Sequence, residues 1–324
     1  MSLSAFKRKI KKNILFKNAY FLLKERHDKR IEDNKFRYTG QLIDRSKGSD
    51  KLCIVLAGYK GYLSENVFGR IKAYIPSDID VCVITSGLFS DDISKMCEQN
   101  GWSYLSTKEN NVCLVQNIAI KSHPAAKYIY KLDEDIFVTK GFFEKMMEAF
   151  LREQKGEYRV GVIAPLLPVN GYGHLKILKE LDLVAKYTEM FEKPVYAAGA
   201  DRKIENDPET AKFFWGKGGF VPSIDKLNEI FSSKEYACSA CAIRFSIGAI
   251  LFAKETVEQM GYFTVERDIS GMGDDEVELC TYCMLQSRPI MVCENTVVGH
   301  FSFGPQTAGM KEYYQQNKEL FGIS

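Results

Sequence analysis

The sequence lacks any apolar segment long enough to cross a bilayer, and its first residues hold no signal-peptide core. It has no internal repeat and no low-complexity tract, which excludes repeat arrays and compositionally biased chains. It also lacks the spacing of a disulfide framework. Its nine cysteines are odd in number and mostly embedded in apolar runs, as at Cys53, Cys82, Cys113 and Cys293. That usage fits buried thiols in a reducing compartment, so a cytoplasmic location is expected. Cys238-x-x-Cys241 and Cys280-x-x-Cys283 have the letters of a zinc site, but the second pair falls within a predicted helix.

What is present is an ordinary soluble composition, 45% hydrophobic and 27% charged over 324 residues, enough for one large α/β domain or two smaller ones. The net charge of +2 hides an asymmetry. Residues 1–40 carry twelve Lys or Arg against four Asp or Glu, a net of +8, so the rest sums to −6. Residues 1–30 read as a basic amphipathic helix, with Leu3, Phe6, Ile10, Ile14 and Phe21 on one face. Such a helix can lie on an anionic membrane surface, or pack on the domain and solvate its lysines. Nucleic acid is not the expected partner, because the basic charge stops at the arm. The division expected is a basic arm over residues 1–45 and a domain over 46–324, split into a donor-binding part (52–140) and an acceptor and catalytic part (141–324).

From Leu52 the pattern alternates. Strands are predicted at Cys53–Ala57, at Asp80–Thr85 and from Tyr128 to its end in the acids Asp133 and Asp135, with helices over Val67–Ile75, Asp91–Glu98 and Val112–Ser122. Alternation of this kind predicts a mostly parallel sheet flanked by helices, whose ligands bind beyond the carboxyl ends of the strands. Gly58, Ser86 and Asp133 all fall at such ends. The third strand closes on Asp133-Glu134-Asp135. Residues two apart in a strand share a side, and two carboxylates aimed at one point require a cation between them. Hard oxygen ligands of this kind suit Mg²⁺ or Mn²⁺ held together with substrate phosphates. An acidic loop after a strand would show the same letters. Residues 160–235 read as long loops around short helices, including the Gly-rich stretch at Trp215.

Further on, Ala242–Ala253 forms an apolar strand or strand pair. Gly271-Met272-Gly273 then opens an acidic helix at Asp274, Asp275 and Glu276, and the apolar runs Pro289–Cys293 and Thr296–His300 follow. Acids in a first helical turn also serve as simple caps.

These motifs, in this order over Leu52–Phe303, resemble the GT-A-fold glycosyltransferases, most closely the inverting family-two type. The shared elements are Asp133/Asp135, Ser246–Phe252, Met260-Gly261-Tyr262-Phe263, Asp275-Glu276-Val277-Glu278-Leu279 and His300. The resemblance implies a nucleotide-diphospho-sugar transferase of Rossmann-like fold. Asp133, Asp135 and His300 are then the metal ligands. Ala57, Gly58, Tyr59, Ser86, Asp133, Glu134 and Asp135 become the donor site. The catalytic base is Glu276 in one register and Asp275 in the other, with Asp274 beside the acceptor. Trp215 is a candidate acceptor wall, since aromatics stack on sugars; a core Trp is the plainer reading.

The first strand departs from the family pattern, with Leu56-Ala57-Gly58-Tyr59-Lys60-Gly61-Tyr62 in place of its usual opening. The implied activity is metal-dependent, inverting transfer of a sugar from a nucleotide donor, a UDP-sugar first. The hydroxyl acceptor would be a glycan or lipid-linked glycan of the cell-surface polysaccharide or glycolipid kind, met by an enzyme peripheral to the inner face of a membrane. A sugar-nucleotide nucleotidyltransferase and a non-catalytic GT-A-like binding module are the alternatives.

Overall fold

A computed structural model describes residues 14–265 and 273–323, with side chains from Tyr20 onward. Among the described residues nine strands form the main sheet: β1 (Gly40–Ile43), β2 (Lys51–Leu56), β3 (Asp80–Ser86), β4 (Ser103–Thr107), β5 (Tyr128–Leu132), β7 (Val162–Leu166), β8 (Cys238–Ala240), β9 (Ala249–Ala253) and β10 (Ile290–Val297). Their order is β1-β4-β3-β2-β5-β9-β7-β10-β8. A short ribbon pairs β6 (Ile136–Phe137) with β11 (Gly299–His300).

Strands β2, β3, β4 and β5 are mutually parallel, and β7 and β10 run the same way. Only β1, β8 and β9 oppose them. The sheet is therefore mostly parallel and flanked by helices, an α/β architecture. Its central strands are apolar on both faces, as in Leu52–Val55 and Val81–Ile84, because helices cover both sides.

Two expectations shift. The sheet starts inside the stretch assigned to the arm, since β1 pairs with β4 from Gly40 to Ile43. The first helix runs from Ile14 to Asn34, and Leu3, Phe6 and Ile10 lie outside the described residues. Tyr20, Phe21, Leu22 and Leu23 are all exposed, and four consecutive positions spread around a helix instead of forming one stripe. The helix ends where Lys35 turns inward, its Nζ donating to Gly261 O at 2.5 Å. Among the described residues no helix is long and apolar enough to cross a membrane.

Candidate active site

The carboxyl ends of β2, β3, β4 and β5 open into a cavity of about 590 Å³. Its lining joins Ala57, Tyr59 and Lys60 after β2, Ser86 after β3 and Asn110 beyond β4. From the other half come Asp274, Asp275, Glu276 and His300. One cavity thus unites residues from most of the chain.

Asp133, Glu134 and Asp135 do not project from an extended strand. β5 stops at Leu132, and the three acids form a tight turn in which Ile136 N donates to Asp133 O at 3.2 Å. The alternation expected from a strand is therefore absent, and each acid takes its own direction. Asp135 is 3% exposed and receives the Lys60 ammonium at 2.5 Å on Oδ2. The same oxygen lies 3.8 Å from His300 Nε2. Burial alone would raise the Asp135 pKa, but the Lys60 charge and hydrogen bond, together with His300 and Lys131, outweigh it and hold the carboxyl below its ordinary range.

Asp133 turns away from that pair. Its Oδ1 lies 2.6 Å from Lys131 Nζ, an ion pair at an angle too poor for an aligned hydrogen bond. Burial, with the like charge of Asp135 adding to it, raises the Asp133 pKa against the pull of Lys131. Glu134 faces the loop after β2, where Oε2 accepts from both Tyr59 N and Lys60 N at 2.9 Å. Burial raises its pKa despite those two donors.

His300 is placed by the β6–β11 ribbon, with Phe301 N donating to Asp135 O at 3.0 Å. Its Nδ1 lies 2.8 Å from the Val169 carbonyl, an acceptor only, so Nδ1 carries a hydrogen, and Nε2 is the ring nitrogen turned toward Asp135. Of the three expected metal ligands, Asp135 and His300 converge and Asp133 does not. Among the described residues no three His, Cys, Asp or Glu side chains cluster as a metal cage, the paired cysteines included.

The helix Asp274–Leu285 brings its first turn to the cavity rim, with Gly273 as its cap residue. Asp275 is buried and fixed, accepting from Gln116 Nε2 at 2.9 Å, with Lys131 Nζ 3.7 Å from the same oxygen. Arg244 donates to Glu276 Oε1 and, at 2.8 Å, to Glu205 Oε2. Burial raises the Glu276 pKa, and the Arg244 charge offsets only part of that rise.

Tyr59, 60% exposed, donates its hydroxyl to the Ser86 carbonyl at 2.6 Å and lies 3.0 Å from Asn110 Oδ1. Gly58 does not line this cavity. It adopts φ +120°, and a Cβ there would meet Leu88 at 3.2 Å. Its contribution is the turn that aims two amides at Glu134, not a close approach to a ligand.

Trp215 is likewise not an acceptor wall. It is 6% exposed, stacks on Phe321 with centroids 4.5 Å apart, and donates Nε1 to His300 O at 3.1 Å. The plainer reading, a core Trp, therefore holds, while the Gly-rich residues that follow it, Lys217–Phe220, are exposed. Trp215→Ala should cost about 3–5 kcal/mol of stability, as large-to-small core changes do, read by denaturant unfolding. A raised acceptor KM with unchanged stability would restore the wall.

Lys131, Arg244 and Glu205 escaped the sequence reading. Lys131 carried a signal, a lone lysine inside the apolar strand before the acidic turn. Its Nζ is buried between Asp133, Asp275 and the Ile247 carbonyl, and it links the two acidic clusters. Arg244 and Glu205 carried none, because only tertiary folding brings them to Glu276.

No protein-family model matches the chain, and no curated protein matches it. Solved structures do match. S. aureus TarS 1-349 aligns at 13% identity and TM-score 0.44, over 83% of this chain and 64% of that one. The mannosyltransferase PcManGT from Pyrobaculum calidifontis, in complex with GDP-Man and Mn²⁺, aligns at 12% and 0.45, over 89% and 66%. GalNAc-T7 with UDP, GalNAc and Mn²⁺ aligns at 9% and 0.45, over 86% and 53%. The chain spans less than two thirds of the length of each of these structures.

Proposed function

We propose that this chain is a GT-A-type glycosyltransferase that moves a sugar from a nucleotide donor to a hydroxyl, using a divalent ion and inverting the anomeric carbon. The observation that carries this reading is the opening, into one cavity beyond the parallel strands, of the Asp135–His300 pair and of Glu276, which Arg244 holds from behind. The first pair suits a cation, the second a proton acceptor.

The residues present fit Mn²⁺ or Mg²⁺. A carboxylate oxygen and an imidazole nitrogen face each other, and the mixed O,N donor set favours Mn²⁺ over Mg²⁺. With two protein ligands, the donor's phosphates and water would complete the shell. The ion, when bound, supplies Lewis-acid stabilisation of the departing diphosphate.

The rest follows from side chains. Tyr59, Ser86 and Asn110 form the rim on which a nucleoside would rest. Glu276 takes the acceptor hydroxyl's proton while that oxygen bonds to the anomeric carbon. The bond from that carbon to the phosphate oxygen breaks, and its electron pair leaves on the diphosphate. Arg244 orients Glu276, and Lys131 keeps the clustered acids from repelling one another. A glycan or lipid-linked acceptor, met at an anionic membrane surface, is supported by the +8 of residues 1–40.

A melting-temperature screen tests the reading. UDP, GDP and their sugar forms are added with Mn²⁺, Mg²⁺ or EDTA. Ligand at a hundredfold its Kd stabilises by about 2.7 kcal/mol, so one nucleoside diphosphate should raise the melting temperature by about 5 °C with the ion and not with EDTA. No shift with any nucleotide would favour a non-catalytic binding module instead.

A further inference from the structure

The carboxylate best placed to take a divalent ion holds a cation of the chain's own. Lys60 Nζ sits 2.5 Å from Asp135 Oδ2, the oxygen that also faces His300 Nε2. Asp135 is almost wholly buried, whereas the Lys60 side chain is 23% exposed and reaches in from the loop after β2. The loop itself is clasped to the acidic turn, because Glu134 Oε2 accepts from the amides of both Tyr59 and Lys60. The lysine backbone is therefore fixed while its side chain has room to move.

We infer that Lys60 is a displaceable counter-cation that couples metal binding to nucleotide binding. The inference rests on the metal-dependent reading above. Two cations on one buried carboxylate oxygen repel, so an ion takes Asp135 only as the ammonium leaves. The turn's other acids are already engaged, Asp133 by Lys131 and Glu134 by the two amides. A diphosphate entering the cavity offers the ammonium a new anionic seat beside the old one. Metal alone must displace Lys60 without that compensation. Metal with a nucleoside diphosphate displaces it onto phosphate. Linkage then requires each ligand to raise the other's affinity by the same factor, and such couplings run from about 5- to 150-fold.

The test measures Mn²⁺ binding to the full chain by electron paramagnetic resonance of the free ion, without turnover. Wild type, Lys60→Met and Asp135→Asn are each titrated alone and with UDP or GDP. Wild type should bind Mn²⁺ weakly alone and about 10-fold or more tightly with the matching nucleotide. Lys60→Met should bind Mn²⁺ alone about 10-fold more tightly than wild type and lose most of the enhancement. Asp135→Asn should bind little in either condition.

Lys60→Gln provides the same comparison if the Met variant melts early. If Lys60→Met and Lys60→Gln keep wild-type affinity and the full enhancement, the inference falls while the metal reading stands. Nucleotide binding indifferent to Mn²⁺ and EDTA, yet lost in Lys60→Met, would make Lys60 the permanent counter-cation. That outcome would overturn both.

Discussion

Asp135→Asn is expected to lower kcat/KM for sugar transfer by about 10³-fold or more while leaving a folded protein. A Lewis acid at the leaving oxygens supplies several kcal/mol, and each 1.4 kcal/mol or so is a factor of ten. Asn keeps the shape of Asp, and its carbonyl oxygen still accepts from Lys60, but the charge that draws an ion next to His300 is gone. The main-chain bond from Phe301 N to Asp135 O, which seats His300, does not involve the side chain and should persist. The cost to stability should be small. Lys60 loses a counter-charge, but its partly exposed side chain can turn to water. Initial rates with Mn²⁺, compared at matched melting temperature, check this. A variant with wild-type kcat/KM would remove Asp135 from the mechanism, and with it the metal site.

The two acids of Asp-x-Asp show how far the letters reached. Their presence after an apolar strand correctly placed them at the carboxyl end of the sheet, beside Ser86 and the loop after β2. Their directions were not legible. Period-two alternation holds only while the chain stays extended, and here the ladder ends at Leu132, where the backbone turns. Asp135 therefore finds Lys60 and His300, and Asp133 finds Lys131.

Strand β4 was missed because Ser103–Thr107 is short and mixed in polarity, although it is buried between β1 and β3. The helix Phe142–Glu153, which follows the acidic turn, buries Phe142, Phe143, Met146, Ala149 and Phe150 at helical spacing. Pro289–Cys293 and Thr296–His300 looked like two strands around the polar Glu294 and Asn295. The structure joins most of the first and the start of the second in β10, where Asn295 Oδ1 accepts from Ala237 N and ties the strand to its neighbour. Polar residues that end a strand on paper can continue one when a tertiary partner satisfies them. The same holds for Trp215, whose indole nitrogen finds its acceptor in the His300 carbonyl.

Glu276→Gln is expected to reduce kcat by about 10²- to 10⁴-fold, the range of a lost general base, with donor and Mn²⁺ affinity nearly unchanged. Gln preserves size, and Arg244 retains Glu205 at 2.8 Å, so the helix start should hold its place. The pH profile carries the sharper signature. Burial lifts the Glu276 pKa above that of an ordinary glutamate, with Arg244 opposing. A base acts only when deprotonated, so kcat/KM should fall as pH drops through that raised pKa. The acid limb then lies at higher pH than a solvent-exposed glutamate would give, and it should vanish in Glu276→Gln. Asp275 is the competing assignment. It is already bound by Gln116 and near Lys131, both on Oδ2, an arrangement that fixes the carboxylate in place and draws one of its two oxygens away from the acceptor. If Glu276→Gln kept both its rate and its acid limb, the proton acceptor would be Asp275, and the Arg244–Glu276 pair would be an element of structure alone.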